Sequence, residues 1–178
     1  MNDRSPLPPN YKLSAGSYRE RSLLLRFLQR SYRELYPDRD FSHLAHTVEE
    51  YFSSQTPLWW VEYSGDLSAS DSGMPSATSR GNDRIACLWL GNSVDQVSGE
   101  RHAHVFLLYV MPEHRRRGIG SALMHHAEAW ARNRGDRQIG LQVFTQNQLA
   151  LELYRRRGYQ PLSLWMLKNL ETPTELDR

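Results

Sequence analysis

Apolar residues recur at helical spacing over residues 19–36, where Leu23, Leu24, Phe27, Leu28, Tyr32 and Leu35 form one stripe. Pro37 ends that pattern. A second helix is predicted over 44–52, and short strands over 11–18 and 58–63, the latter carrying adjacent tryptophans, Trp59 and Trp60. Residues 64–83 lose all apolar periodicity and become rich in Ser, Gly and Asp, the pattern of a flexible loop between two hairpin strands. Strand signal returns over 84–90, a polar turn covers 91–100, and 102–111 reads as a strongly apolar strand. Residues 120–134 are helical, with Ile119, Leu123, Ala127 and Trp130 along one stripe. A strand over 138–144, a helix over 147–157 stopped by Gly158 and a last strand over 163–170 complete the pattern. The second half thus runs strand, helix, strand, helix, strand. A strand-helix-strand crossover favours two parallel neighbours in one sheet, so the fold class is α/β with helices packed on the sheet faces.

At 178 residues the expectation is one domain, with 1–10 a loose leader and 171–178 a tail. The longest apolar run, from Val105 to Met111, is far short of the ~20 residues that span a bilayer, and no signal peptide is visible. No membrane partner is expected. Cys87 is the only cysteine, which fits a reducing cytoplasm, and the expected localisation is cytoplasmic. A net charge of +2 is too balanced to imply nucleic-acid binding. Of the 22 basic residues all but Lys12 and Lys168 are arginine, whose planar fork suits phosphate.

The chemistry concentrates after the apolar strand, where Arg115, Arg116 and Arg117 lead into Gly118, Ile119, Gly120 and Ser121 at the start of a helix. A helix N-terminus offers unpaired N–H groups and a positive dipole end, and glycines let a ligand approach the backbone. A pyrophosphate is the natural guest. It is not the dinucleotide turn G-x-G-x-x-G, because position 123 is Leu, and no G-x-x-x-x-G-K-S/T loop occurs. Taken alone, the turn is equally readable as a plain strand-to-helix connection with solvated arginines.

Two motifs in order decide between these readings. Val110-Met111-Pro112 followed by Arg115, Gly118 and Gly120 resembles the hallmark of the GNAT superfamily of acyl-CoA-dependent N-acetyltransferases. The family's second feature is similar to Asn147, Ala150, Leu153-Tyr154 and Gly158-Tyr159. The resemblance covers about residues 84–170. It implies a single mixed sheet of about six or seven strands, helices on both faces, and two central parallel strands that splay apart. It implies acetyl-CoA as co-substrate: the pantetheine arm pairs with the backbone of Leu108, Tyr109 and Val110, and the pyrophosphate rests on N–H groups from Arg115 to Ser121. Asn147 bonds the pantetheine arm and the Tyr154 hydroxyl serves the leaving thiolate. An amine attacks the thioester directly, in a ternary complex without an acyl-enzyme. Asn147 and Tyr154 stand seven residues apart, about two helical turns, and so share a face.

Many relatives carry a carboxylate three or four residues before the valine of V-x-P; here Leu107 and Phe106 stand there. The substitute candidate for general base is His104, which strand alternation places on the face of Phe106. The acceptor is expected to be a small-molecule or peptide amine, with Tyr32, Glu34, Tyr36, Trp59 and Trp60 as pocket candidates. Arg155, Arg156 and Arg157 read as a solvated helix end favoured by the dipole. Seven histidines form no four-ligand pattern, so no metal is expected. The chain is expected to act as a monomer or homodimer. The alternative to an enzyme is an acyl-CoA-binding sensor or structural protein of the same fold.

Overall fold

The computed structural model describes residues 7–64, 84–168 and 170. Most of the expected leader, nearly all of the expected 64–83 loop and the 171–178 tail lie outside the described residues. Five strands run β1 (Tyr11–Ala15), β2 (Leu58–Tyr63), β3 (Arg84–Val94), β4 (Arg101–Val110) and β5 (Ile139–Leu141). Four helices are α1 (Arg21–Leu35), α2 (Leu44–Tyr51), α3 (Ile119–Asn133) and α4 (Gln148–Arg156). The sheet order is β1-β2-β3-β4-β5, antiparallel except for the parallel β4–β5 pair. That parallel pair follows from the crossover through α3.

Each face of the sheet buries its own cluster. On one face Leu24, Phe27 and Leu28 of α1 and Leu44 and Val48 of α2 pack on Trp60, Trp89, Leu107 and Tyr109. On the other Ile119, Leu123, Met124 and Ala127 of α3, with Tyr154 of α4, pack on Val61, Leu88, Leu90 and Val105. A fully buried side chain of this size contributes about 1.5–3 kcal/mol, so these two clusters dominate the stabilisation. The expected tryptophan pair splits between faces, as strand alternation requires. Trp60 is fully buried among the α1 side chains, while Trp59 packs edge-on against His126 and Trp130 of α3.

A β-bulge in β4 breaks the regular alternation. Trp89 pairs with Leu107 but Leu90 pairs with Val105, so Phe106 is the extra residue. Phe106 and Leu107 consequently both turn to the α1/α2 face. The Phe106 ring stacks on Trp89 at 4.7 Å and occupies the space above Gly91, where a Cβ would meet it at 2.0 Å. The β4–β5 ladder covers only Ala103–Ile139, His104–Gly140 and Val105–Leu141, and stops where the bulge begins. A bulge bends and twists its strand, which carries β4 away from β5. This explains why β5 spans three residues rather than the expected 138–144.

Further boundaries differ from expectation: β1 ends at Ala15 rather than at 18, because Ser17 caps a 3₁₀ turn over Tyr18–Glu20. β3 continues to Val94, so the polar turn is confined to 95–100, where the Asp95 carboxylate accepts the N–H groups of Val97 and Ser98. The expected strand over 163–170 is not formed, and the sheet has five strands among the described residues instead of six or seven. The physical reason is that 162–168 have no neighbouring strand among the described residues and lie exposed.

Gly91→Ala should destabilise the protein by about 1–3 kcal/mol in urea unfolding, because the added methyl collides with the ring that the bulge places there. In a Phe106→Ala background the same change should cost little. An equal loss in both backgrounds would show that Gly91 does not exist to receive Phe106.

Candidate active site

The gap between β4 and β5 leaves backbone groups of β4 without a strand. Met111 N–H bonds Ile85 O on β3 at 2.8 Å, so by alternation Tyr109 and Leu107 also direct their backbone toward β3. Leu108 therefore presents its N–H and C=O groups to the gap and Val110 its N–H, while the Val110 carbonyl accepts the Arg115 guanidinium at 2.8 Å. Tyr109, expected as a third backbone contact, faces β3 with its main chain, and its side chain lies on the α1 face.

The turn beyond β4 has the geometry of an anion-receptive helix start. Pro112–His114 form a 3₁₀ turn, and Arg115 is extended. Arg116 (φ 61°) and Gly118 (φ 83°) are then both left-handed. Left-handed arginine costs on the order of 1 kcal/mol, a strain typical of ligand-binding turns. Such a curl turns successive N–H groups toward one side. The first intrahelical bond of α3 is Ala122 N–H to Gly118 O at 3.0 Å. The N–H groups of Ile119, Gly120 and Ser121 precede it and have no helical acceptor. Nothing lies within 4 Å of a Cβ at Gly118, and at Gly120 only Leu153 Cδ2, at 3.2 Å, approaches. The same turn touches α4 through that leucine.

The arginine side chains mostly do structural work. Arg115 donates to Val110 O at 2.8 Å and to the Glu34 carboxylate at 2.5 Å, and it lies over the Tyr109 ring. The Tyr109 hydroxyl donates to the same carboxylate. Burial and the Glu34 carboxylate push the Tyr109 pKa up, so it stays a neutral donor. Arg117 donates to the Tyr11 hydroxyl at 2.9 Å, tying the turn to β1. Arg116 is well exposed, at 3.9 Å from Glu152, and Arg117 is exposed as well. The expected solvated arginine end of α4 is also partly corrected. Arg155 and Arg156 are exposed, but Arg157 forms a bidentate pair with Glu128 of α3 at 2.9 and 2.6 Å and reaches Ser121 Oγ at 3.2 Å. This pair fixes α4 against α3 and the anion turn.

Asn147 is the N-cap of α4, accepting Ala150 N–H through Oδ1 at 3.2 Å. Capping uses the side-chain oxygen and leaves the Nδ2 donors for a ligand. Tyr154, two turns on, is buried in the α3/α4 cluster, against which Leu108, Val110 and Ala150 also pack. Burial pushes its phenol up to about 12, so it too is a neutral donor.

His104 lies across the sheet from Tyr154, its ring 5.4 Å from Phe106. It pairs in register with Gly140, where a Cβ would sit 3.0 Å from His102 Nε2 and 3.5 Å from His104 Nδ1. Glycine there makes room for both imidazoles. Burial, then the neighbouring His102, lowers the His104 pKa below the ordinary 6.5, which keeps it neutral at pH 7. Of the expected acceptor-pocket residues, Tyr32 and Tyr36 each pack at 5.6 Å from Phe144, just past β5, and Glu34 stands at the end of β4. Trp59 and Trp60 belong to the core instead. Phe144 and Gly140 escaped the sequence reading, since neither a lone aromatic nor a lone glycine in a short strand carries a signal of its own.

An α/β sheet opened between two parallel strands, with an anion-receptive helix start at its mouth, is the architecture of an acyl-CoA-dependent acyltransferase. The chain belongs to the acetyltransferase (GNAT) family, whose model matches residues 23–159. It is 36% identical over 74 residues to an uncharacterized N-acetyltransferase of Methanocaldococcus jannaschii, a match covering 42% of this chain and 31% of that one. It is 28% identical over 114 residues to human N-acetyltransferase 8, covering 57% and 50% respectively. A 50-residue match to streptothricin acetyltransferase of Streptomyces lavendulae is 46% identical and covers 28% and 26%. The chain thus matches half or less of the length of these curated relatives. In fold it resembles a predicted acetyltransferase of Clostridium acetobutylicum solved with acetyl-CoA, at a TM-score of 0.67 and 16% identity, covering 90% of this chain and 96% of that one. An aminoglycoside acetyltransferase from an uncultured soil sample superposes at 0.64 with 14% identity, covering 93% and 100%.

Gly120→Asp should abolish acetyl-CoA binding by calorimetry, because it sets a carboxylate beside N–H groups that await an anion. Gly120→Ala adds the same Cβ beside the flexible end of Leu153 without charge, and should fold and bind. Equal affinity in a folded Asp variant would remove the pyrophosphate from this turn.

Proposed function

We propose that this chain transfers the acetyl group of acetyl-CoA to a primary amine by direct attack in a ternary complex, at the gap between β4 and β5. One observation carries the reading: the backbone of Leu108 and the N–H of Val110, which no strand pairs, the free amides opening α3 and the buried hydroxyl-bearing Tyr154 lie around the same gap. The pantetheine amides extend the sheet from Leu108 and Val110, as a missing strand would. Asn147 Nδ2 adds a contact from α4. The N–H groups of Arg116 to Ser121 hold the pyrophosphate, with Arg116 as the available side-chain cation. Acetyl-CoA as donor has further support from the family membership and from the fold likeness to a protein solved with that molecule.

In the transfer, the amine nitrogen bonds the carbonyl carbon, the carbon–sulfur bond breaks, and CoA leaves as a thiolate that takes up a proton. The Leu108 N–H is placed to polarise the carbonyl oxygen. No acyl-enzyme is needed. Cys87 is fully buried in β3, and burial pushes its thiol pKa up, which removes it as a nucleophile. The acceptor enters on the α1 face, past Tyr32, Tyr36 and Phe144, and the thiolate leaves toward Tyr154 on the α4 face.

The Tyr154 role has a limit set by magnitude. A phenol near 12 facing a thiolate of ordinary pKa near 8.5 would lose about 5 kcal/mol by giving up its proton fully. Tyr154 therefore stabilises the thiolate as a hydrogen-bond donor, and the thiolate's proton comes from the amine through solvent. His104, neutral and on the acceptor face, accepts the amine proton.

Tyr154→Phe keeps the packed ring and removes the donor. CoA release should fall about 100- to 1,000-fold while acetyl-CoA affinity holds, the cost of one lost donor to a developing anion. Unchanged release, with chemistry rate-limiting, would reduce Tyr154 to packing. An acceptor screen read by free CoA comes first and supplies the amine for both assays; no release with any amine would count against turnover itself.

For His104 the test is the pH dependence of kcat/KM. The folded pKa lies below 6.5, so activity should be full above that value and decline as pH falls through the lower one. His104→Ala should lose that inflection and keep only the rise set by the acceptor amine. Identical profiles would leave solvent as the proton acceptor.

A further inference from the structure

Three aromatic rings meet on the α1 side of the gap. Tyr32 and Tyr36 stand four residues apart at the end of α1, one above the other on the same face, and Tyr36 N–H bonds Tyr32 O at 2.9 Å. Phe144 meets both edge-on, each at 5.6 Å, with interplanar angles of 85° and 80°. It comes from the other side of the opening, three residues past β5, and its carbonyl accepts Asn147 N–H at 2.9 Å. The residue proposed for the pantetheine arm thus also anchors a ring on the acceptor side.

Core packing alone does not account for the trio. Phe144 is 39% exposed and both tyrosines are only half-buried, so ring surface remains along the acceptor's route. Neither phenol hydroxyl has a hydrogen-bond partner among the described residues. Burial, then the neighbouring Tyr36, raises the Tyr32 pKa, which keeps that hydroxyl a neutral donor.

The charges around the rings disfavour a polycation. Glu34 already accepts Tyr109 and Arg115. Asp40 is taken up by the N–H and hydroxyl of Ser42. Asp38, on the turn after α1, is exposed and has no partner among the described residues. Against it stand two guanidinium groups: Arg39 lies over the Tyr36 ring at 5.5 Å, and Arg30 is close enough to act on the Tyr109 hydroxyl. A molecule with several ammonium groups would meet these cations and little free carboxylate. A single amine beside them sheds its proton more readily, because like charge disfavours the ammonium form.

We propose that the acceptor is a monoamine carrying an aromatic ring a short alkyl chain away from the nitrogen, and that Tyr32, Tyr36 and Phe144 hold that ring. The proposal rests on the transfer reading above and narrows it to a substrate class. Edge-on and stacked contacts reward a flat ring over an alkyl chain of similar area. The two phenols also suit a polar substituent on the ring.

The test compares phenethylamine, hexylamine and spermidine as acceptors, read by free CoA release. Phenethylamine should exceed hexylamine in kcat/KM by about tenfold, the yield of two such ring contacts, and spermidine should be poorest. Phe144→Leu keeps an apolar side chain and removes the ring. It should shrink that ratio to within about threefold, through the KM of phenethylamine, in a protein that still binds acetyl-CoA by calorimetry. If this variant does not fold, Tyr36→Leu removes a half-buried ring of the trio and reads the same ratio. A wild-type ratio near one, or spermidine as the best acceptor, would overturn the acceptor class and leave the transfer standing. A ratio untouched by either substitution would remove the rings from recognition and overturn it too. Release from none of the three would count against the transfer. Calorimetric titration of the CoA-saturated protein then decides the acceptor class separately: tighter binding of phenethylamine than of hexylamine upholds it, and equal or absent binding defeats it.

Discussion

A strand can bond on two sides, and β4 gives up one of them. Everything distinctive about this molecule follows from that loss. The extra residue Phe106 ends the ladder to β5 after three pairs, and Gly91 makes the extra ring tolerable by having no side chain beneath it. Buried backbone groups left without partners cost on the order of 1–3 kcal/mol each, so a sheet opened in this way is stable only if water or a ligand fills it. A ligand with amides along its length, such as pantetheine, meets that demand where an apolar one would not. The bulge also puts His104 and Tyr154 on opposite faces of one opening. The proposed proton acceptor and thiolate partner are thereby separated by the sheet itself.

The positive charge is arranged with the same economy. Arg115 and Arg157 are committed to Glu34 and Glu128, and their side chains are only 30% and 16% exposed. These pairs join α1 to β4 and α4 to α3 around the mouth of the gap. What remains for an anion is chiefly backbone: the N–H groups of a left-handed curl and a helix start. Backbone donors are fixed by the fold and lose no side-chain entropy on binding, which an exposed arginine would. Half-buried ion pairs of this kind add little net stability. Their effect is to fix where the helix start points.

Much of this was legible in the sequence. The 3.6-residue stripes located α1 and α3, since each buries one face on the sheet. Two spaced motifs located the turn and α4, because positive φ at Gly118 and the cap at Asn147 restrict residue type at those positions. The features that escaped are those whose cause lies far along the chain. Glu34 was legible as a pocket candidate, but not its partners, since Arg115 and Tyr109 lie more than 70 residues on. The bulge leaves no local signature, because Phe106 fits a strand on either face and its reason is the glycine across the ladder. Residues 163–170 have the composition of a strand, but a strand also needs a neighbour, and none of the described residues supplies one.

The proton inventory narrows the acceptor. An alkylammonium like lysine has a pKa near 10.4, so handing its proton to an imidazole below 6.5 before attack is uphill by roughly 5 kcal/mol or more. An amine of pKa near 8 loses only about 2 kcal/mol or slightly more in the same step. Once the nitrogen bonds the carbonyl carbon its acidity rises steeply, and the same neutral imidazole becomes a competent acceptor. His104 therefore suits a low-pKa amine deprotonated beforehand, or a transfer completed after attack. Tyr154 points to the same order of events. A phenol near 12 cannot force a proton onto sulfur, so it rewards a thiolate already leaving. Both groups stay neutral, and in the proposed transfer both would act on charge that develops during the reaction. Such a site gains rate by holding dipoles in place, and the packing around Gly140 on one face and Ala150 on the other is what holds them.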